Sequence, residues 1–119
     1  MIFEQKTGKI TDDLGKIIGH GYAGHGEGKN NPEMESVKNT GPLPKGIYYK
    51  GQKIDHPKTG PYSIRLIPDK NNQMFGRSGF MFHGDSKRNP GTASEGCIVA
   101  SRKIREMWYE SDDNIIKVI

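Results

Sequence analysis

Apolar positions along this chain come in short bursts separated by glycine, proline and charged residues, and the bursts have the length of strands rather than helices. Met1 to Gln5 and Lys9 to Thr11 read as a hairpin around Lys6-Thr7-Gly8, and Leu14 to Ile18 as a further strand broken by Gly19. Gly19 to Thr40 carries five glycines between Gly19 and Gly28 and a proline at 32, which excludes a helix interior or a central strand. A loop longer than about 15 residues inside a small domain is usually functional or mobile. Gly41-Pro-Leu-Pro44-Lys-Gly46 is a rigid turn into a strand at Ile47 to Lys50, and Gly51 to Pro61 is a second loop. Tyr62 to Pro68 alternates as a strand should; Asp69 to Gly76 is polar and turn-like. Phe80 to His83 and Ile98 to Ala100 are short buried strands. Ser101 is an N-cap, and Ile104, Met107 and Trp108 give the following helix one apolar face. Asn114 to Ile119 closes the chain as a β-branched strand. The pattern predicts a mainly β fold of roughly six to eight short strands, one short helix and long loops.

Composition narrows this picture. The 119 residues fit one domain, 1–119, and 32% hydrophobic content with a mean hydropathy of −0.78 implies a small core. Sixteen glycines and seven prolines without a period exclude collagen-like and repeat architectures, and the recurring apolar bursts argue against disorder. The net charge of +4 comes from scattered basic residues, clustered only at Lys87-Arg88 and Arg102-Lys103. That is not the dense stripe of a nucleic-acid binder, and it suits an anionic polymer such as a cell wall equally well. A single cysteine excludes an internal disulfide and a multi-cysteine zinc site. The Met1-Ile-Phe-Glu start lacks a basic and then apolar leader, so no signal peptide is expected. No run nears the roughly 18 apolar residues of a membrane span. The expectation is a soluble product made in the cytoplasm and carried elsewhere by another machine.

That single cysteine, Cys97, ends a Ser94-Glu-Gly96-Cys97 turn, and His83 stands fourteen positions upstream at the end of an apolar run, followed by Gly84. A thiol attacks as thiolate, and an adjacent imidazole is the commonest means of obtaining one near neutral pH. Free cysteine is also among the most buried residue types, so packing alone is the competing reading. Gly96 permits an unusual backbone angle that would let the amides of Gly96 and Cys97 face one point, as an oxyanion hole requires. Ser94 can fix the turn by local hydrogen bonding. Phe80 and Phe82 anchor the strand that carries His83.

The order histidine then cysteine is that of sortases and L,D-transpeptidases. His83-Gly84 followed by Ser94-Glu-Gly96-Cys97-Ile98 resembles the L,D-transpeptidase signature. Phe80-Met-Phe-His83-Gly84-Asp85, Ala93 to Val99, Gly41-Pro-Leu-Pro44-Lys-Gly46-Ile-Tyr48 and the Asn30-Asn31-Pro32 loop together resemble a shorter branch. That branch comprises the L,D-transpeptidase-like, peptidoglycan-targeting effectors of bacterial type VI secretion systems. The resemblance implies a small β-sandwich or barrel whose Cys97 attacks the third residue of a peptidoglycan stem tetrapeptide. It would release the terminal D-alanine, with His83 taking the thiol proton and Gly96, Ser94, Gly84 and Asp85 positioning the reacting groups. Hydrolysis of the acyl-enzyme gives L,D-carboxypeptidase activity, and a second D-amino acid gives exchange. The implied partner is an immunity protein blocking the cleft; the implied place of action is the periplasm of target bacteria. Glu95 and Val99 stand where housekeeping transpeptidases have a second histidine and an arginine, which counts against cross-linking activity.

The group orienting His83 is open: Asp85, Ser86 or a backbone carbonyl would serve. Tyr22, Arg77 and Tyr62 are candidate contacts for substrate carboxylates and peptide. His20 and His25, with Asp12 or Glu27, lack tight metal spacing, and no metal or cofactor is expected. His56 reads as a turn residue and Trp108 as core. Three rival readings are a non-catalytic wall-binding module, a sortase-like transpeptidase relying on Arg102 or Arg105, and a metal-dependent site built on His20 and His25.

Overall fold

The computed structural model describes residues 1–119. Its strands are β1 (Ile2–Phe3), β2 (Lys9–Thr11), β3 (Ile17–His20), β4 (Tyr22–Ala23), β5 (Gly46–His56), β6 (Gly60–Pro68), β7 (Met81–His83), β8 (Ile98–Val99) and β9 (Ile115–Val118). One helix, α1 (Arg102–Glu110), and two single 3-10 turns, Gly26–Gly28 and Pro32–Met34, complete it. All nine strands belong to one sheet, ordered β3-β2-β1-β9-β5-β6-β7-β8-β4. The first and last strands of that order are separated in the chain by Gly21 alone, so the sheet must curl until its edges meet. The Gly21 amide donates to the Gly8 carbonyl at 2.8 Å on one side of this seam. On the other side, a side chain at Gly21 would meet the Val99 carbonyl at 2.3 Å, and only glycine fits there. The sandwich-or-barrel expectation therefore resolves to a single curled sheet.

The core is one cluster that includes Phe3, Ile10, Tyr48, Ile64, Phe82, Ile98 and Ile116, all essentially inaccessible to water. Each such side chain contributes about 1.5–3 kcal/mol on burial. Helix α1 begins where the sequence predicts: Ser101 Oγ accepts from the Ile104 amide at 3.3 Å. It seats Trp108 against Phe82, ring centroids 5.9 Å apart. Met107, assigned to the apolar face, is instead 49% exposed, because the buried stripe runs through Arg105 and Trp108.

Two boundaries differ from the expectation. Gly51 to Pro61, read as a loop, is mostly strand: β5 and β6 form a long antiparallel hairpin with register shifts between Lys50 and Lys53 and again between Ile54 and His56. Its polar side chains project outward, so main-chain pairing holds it without an apolar alternation. Leu14 is 94% exposed in a turn rather than in a strand. Asp12 Oδ1 accepts from the Leu14 and Lys16 amides there, both at 2.9 Å, and Gly15 has φ +85°; turn chemistry overrides one leucine. The glycine-rich stretch from Gly19 to Thr40 is an ordered loop that includes β4 and both 3-10 turns, anchored by Asn30 Oδ1 accepting from the Ala23 amide.

Candidate active site

β7 and β8 run parallel, with Phe82 opposite Ile98 and His83 opposite Val99. Strand alternation sends Phe82 and Ile98 into the core and leaves His83, Met81 and Cys97 on the other face. One residue before β8, Cys97 stands beside Met81, whose amide donates to Cys97 Sγ at 3.2 Å. His83 and Cys97 are thus diagonal neighbours on one face. No hydrogen bond joins thiol to ring: Sγ takes the Met81 amide and Nδ1 faces the Gly84 carbonyl. Both line one cavity of about 580 Å³, together with His56, Lys58 and Thr59 from the turn of the β5–β6 hairpin and Glu95 from the cysteine turn.

The imidazole is fixed by the backbone. His83 Nδ1 lies 2.8 Å from the Gly84 carbonyl oxygen, which can only accept, so Nδ1 carries the proton and Nε2 offers a lone pair. Of the three orienting groups left open by the sequence, a backbone carbonyl takes the role. Burial pushes the imidazole below its ordinary pKa, outweighing this hydrogen bond, and the nearby Arg105 charge acts in the same direction. Burial pushes the Cys97 thiol up; the Met81 amide opposes this, Glu95 reinforces it, and Arg77 opposes it. Near neutral pH the resting pair is therefore thiol and neutral imidazole. The two groups therefore do not rest as a thiolate–imidazolium ion pair.

Ser94 does what the turn demands. Its buried Oγ accepts from the Gly24 amide at 2.9 Å and the Gly96 amide at 3.0 Å and donates to the Cys97 carbonyl at 2.6 Å. This corrects the expectation of paired oxyanion donors: the Gly96 amide is consumed by Ser94, and only the Cys97 amide donates to no other residue. Gly96 has φ +142°, and a Cβ there would lie 2.6 Å from Arg77 Nη2 and 2.8 Å from Phe80 Cε1, so its role is to let the turn close. At Gly84 the backbone angle is ordinary, but a Cβ would fall 2.8 Å from Arg105 Nη2 and push the guanidinium aside.

Asp85 does not reach the imidazole ring. It accepts from the Tyr22 hydroxyl at 2.6 Å and from the Ser86 and Gly91 amides. Burial opposes its charge, but these bonds outweigh burial and hold the carboxyl below its ordinary pKa. Tyr22 and Asp85 thus shape the loop after His83, and burial with the Asp85 bond raises the Tyr22 hydroxyl to about 12. The other two substrate candidates are structural. Arg77, 6% exposed, donates to the carbonyls of Glu35, Pro42, Gly41 and Glu95 at 2.6, 2.8, 2.9 and 3.2 Å. It clasps the cysteine turn to the loop that precedes β5 and makes no ion pair, whereas substrate capture would need a free guanidinium. Tyr62 is buried in the core, edge-on to Tyr109 at 5.9 Å.

The hairpin residues lining the cleft carry no local signal of a site. His56 is the turn residue expected, its Nδ1 accepting from the Lys58 and Thr59 amides, and only the register of β5 on β6 brings it to the cleft. No three His, Cys, Asp or Glu side chains converge to hold a metal ion, and His20 and His25 stand apart at the ends of different segments. Among known proteins, the family model described as the Tlde1 domain matches residues 18–116. No curated protein matches the chain.

Proposed function

We propose a reaction for a chain that belongs to the Tlde1 domain family, a family of type VI secretion effectors: cysteine-dependent L,D-carboxypeptidase activity, or D-amino-acid exchange, on the stem tetrapeptides of peptidoglycan. The observation that carries it is the pairing of Cys97 with a His83 whose Nδ1 is committed to the Gly84 carbonyl, both opening on one cleft. His83 Nε2 takes the thiol proton as Sγ attacks the carbonyl of the third stem residue. The oxyanion that forms is met by the Cys97 amide, the donor that Ser94 leaves free. The imidazolium returns its proton to the amine of the departing D-alanine, leaving a thioacyl-enzyme. Water, deprotonated by the same nitrogen, releases the shortened peptide; a D-amino acid amine in its place gives exchange.

A raised thiol pKa and a depressed imidazole pKa suit this route, in which the base acts at the moment of attack. The sortase-like alternative is less well supported by its own candidate residues: Arg105 is buried against backbone carbonyls and Arg102 is paired with Glu106. No helix is long and apolar enough to cross a membrane. The proposed place of action is the periplasm of a target bacterium, with an immunity protein covering the cleft as the proposed partner.

Purified protein incubated with tetrapeptide muropeptides is expected to release D-alanine and to carry an acyl adduct on Cys97 detectable by intact mass. Cys97→Ala abolishes both, and His83→Ala slows adduct formation by about 10²–10⁴-fold. No release from the parent protein, or an adduct formed at full rate without His83, would sink the proposal and favour a wall-binding module.

A further inference from the structure

A second cavity, of about 300 Å³, shares Gly84 and Asp85 with the thiol cleft and is otherwise bounded by His20, Gly21, Tyr22 and the first turn of α1 with Arg105. Its chemistry is cationic. The Arg105 side chain is 4% exposed, and its Nε and Nη1 donate to the carbonyls of Ala100, Pro61 and Tyr62. Its Nη2 has no acceptor and lies against Gly84 in the cavity wall. At the start of α1, Ser101 Oγ serves the Ile104 amide, which leaves the Arg102 and Lys103 amides without a partner and the positive end of the helix toward the same space. The one carboxylate in the wall, Asp85, is already held by Tyr22, Ser86 and Gly91. A buried guanidinium with Nη2 idle, beside unpaired helix amides, is built for an anion.

We infer that this cavity is a carboxylate subsite that holds the terminal carboxylate of the peptide cut at Cys97. The inference rests on the carboxypeptidase reading and deepens it. Removal of a last residue places the free carboxylate one residue from the scissile carbonyl, a span of about 3.5 Å along the chain. A carboxylate anchor must then adjoin the thiol cleft, and Gly84 and Asp85 line both spaces. Such an anchor makes the enzyme an exopeptidase: chains continuing past the fourth residue would drive a peptide bond into a site shaped for a charge.

The test compares kcat/KM for a stem tetrapeptide with that for its C-terminal carboxamide, in the parent protein, Arg105→Lys and Gly84→Ala, with melting curves for each. The parent is expected to prefer the free acid by about 10–100-fold, the span of one or two charge-assisted hydrogen bonds. In both variants that preference collapses toward unity, mainly through KM for the acid, because Lys has no Nη2 to present and a methyl at position 84 displaces it. A merely structural Arg105 would slow both peptides equally and leave the ratio intact, overturning the inference. So would a parent indifferent to amidation. In parallel, backbone amide resonances of Gly84, Arg102 and Lys103 are followed while D-alanine or D-alanine methyl ester is added. Shifts with the acid alone support the subsite, and shifts with neither or equally with both overturn it. This readout needs no turnover, so loss of the subsite is distinguishable from loss of the thiol chemistry.

Discussion

Arg77→Gln tests the packing around the cleft without touching the proposed pair, His83 and Cys97. The guanidinium spans three segments, donating to Glu35, to Gly41 and Pro42, and to Glu95. Glutamine has one amide and can satisfy one of these carbonyls, two at most. The Gly41 and Pro42 bonds are buried, and each carbonyl orphaned there costs about 1–3 kcal/mol. Against this, the parent pays to bury a guanidinium that has no carboxylate partner, and the substitution removes that penalty. The net loss is about 3 kcal/mol, a large share of the 5–15 kcal/mol typical of a domain, and for a chain of this size lowers Tm by about 10–15 °C. Circular dichroism melts and urea titrations measure it. Arg77→Lys separates charge from geometry: it should melt nearly as early, since an ammonium cannot bridge three segments. The two variants part at the thiol. Iodoacetamide should alkylate Cys97 more slowly at fixed pH in Arg77→Gln, because a charge favouring the thiolate is gone, while Arg77→Lys keeps most of the rate. An unchanged melting temperature in Arg77→Gln would refute the clasp.

Two further outcomes follow from the geometry around the pair. Folded His83 resists the proton that the unfolded chain accepts, so its contribution is complete above the ordinary imidazole pKa and stability falls as pH drops through that value. Urea midpoints between pH 8 and 5 should show that decline, and His83→Gln should show less of it; equal slopes would contradict a buried, neutral imidazole. Gly96→Ala and Gly60→Ala both force alanine to positive φ, +142° and +91°, but only the former also meets neighbours below 3 Å. Gly60→Ala should cost about 1–3 kcal/mol as backbone strain and Gly96→Ala at least 2 kcal/mol more, read from denaturant midpoints.

The shared placement of His83 and Cys97 was legible because it depends on local pattern: an apolar burst ending in His83, a turn ending in Cys97, and alternation that places both on one face. Ser101 and Trp108 were legible for the same reason. The function of Arg77 was not, because a buried arginine reads like an exposed one until its four carbonyls are brought from three segments. The Gly96 amide was misassigned because a glycine promises freedom without saying which acceptor takes its N–H; Ser94, two residues away, does. The extended hairpin escaped because its strands are polar on their exposed stretch and held by main-chain bonds, and with it went the His56-to-Thr59 wall of the cleft.

The seam at Gly21 and the pairing of Ile2 with Lys117 dictate when this protein can become itself. The β5–β6 hairpin joins neighbours in sequence and can form early. The parallel pairing of β1 with β9 ties residues near the two ends of the 119-residue chain, and the loop-closure entropy must be met before any of its bonds form. Folds dominated by such distant partners assemble in milliseconds to seconds, slowly for their size. β8, which Cys97 immediately precedes, lies between the seam strand β4 and β7, which ends at His83. The β7–β8 pairing joins residues sixteen positions apart and needs no ring closure, so His83 and Cys97 can share a face before the two ends of the chain meet.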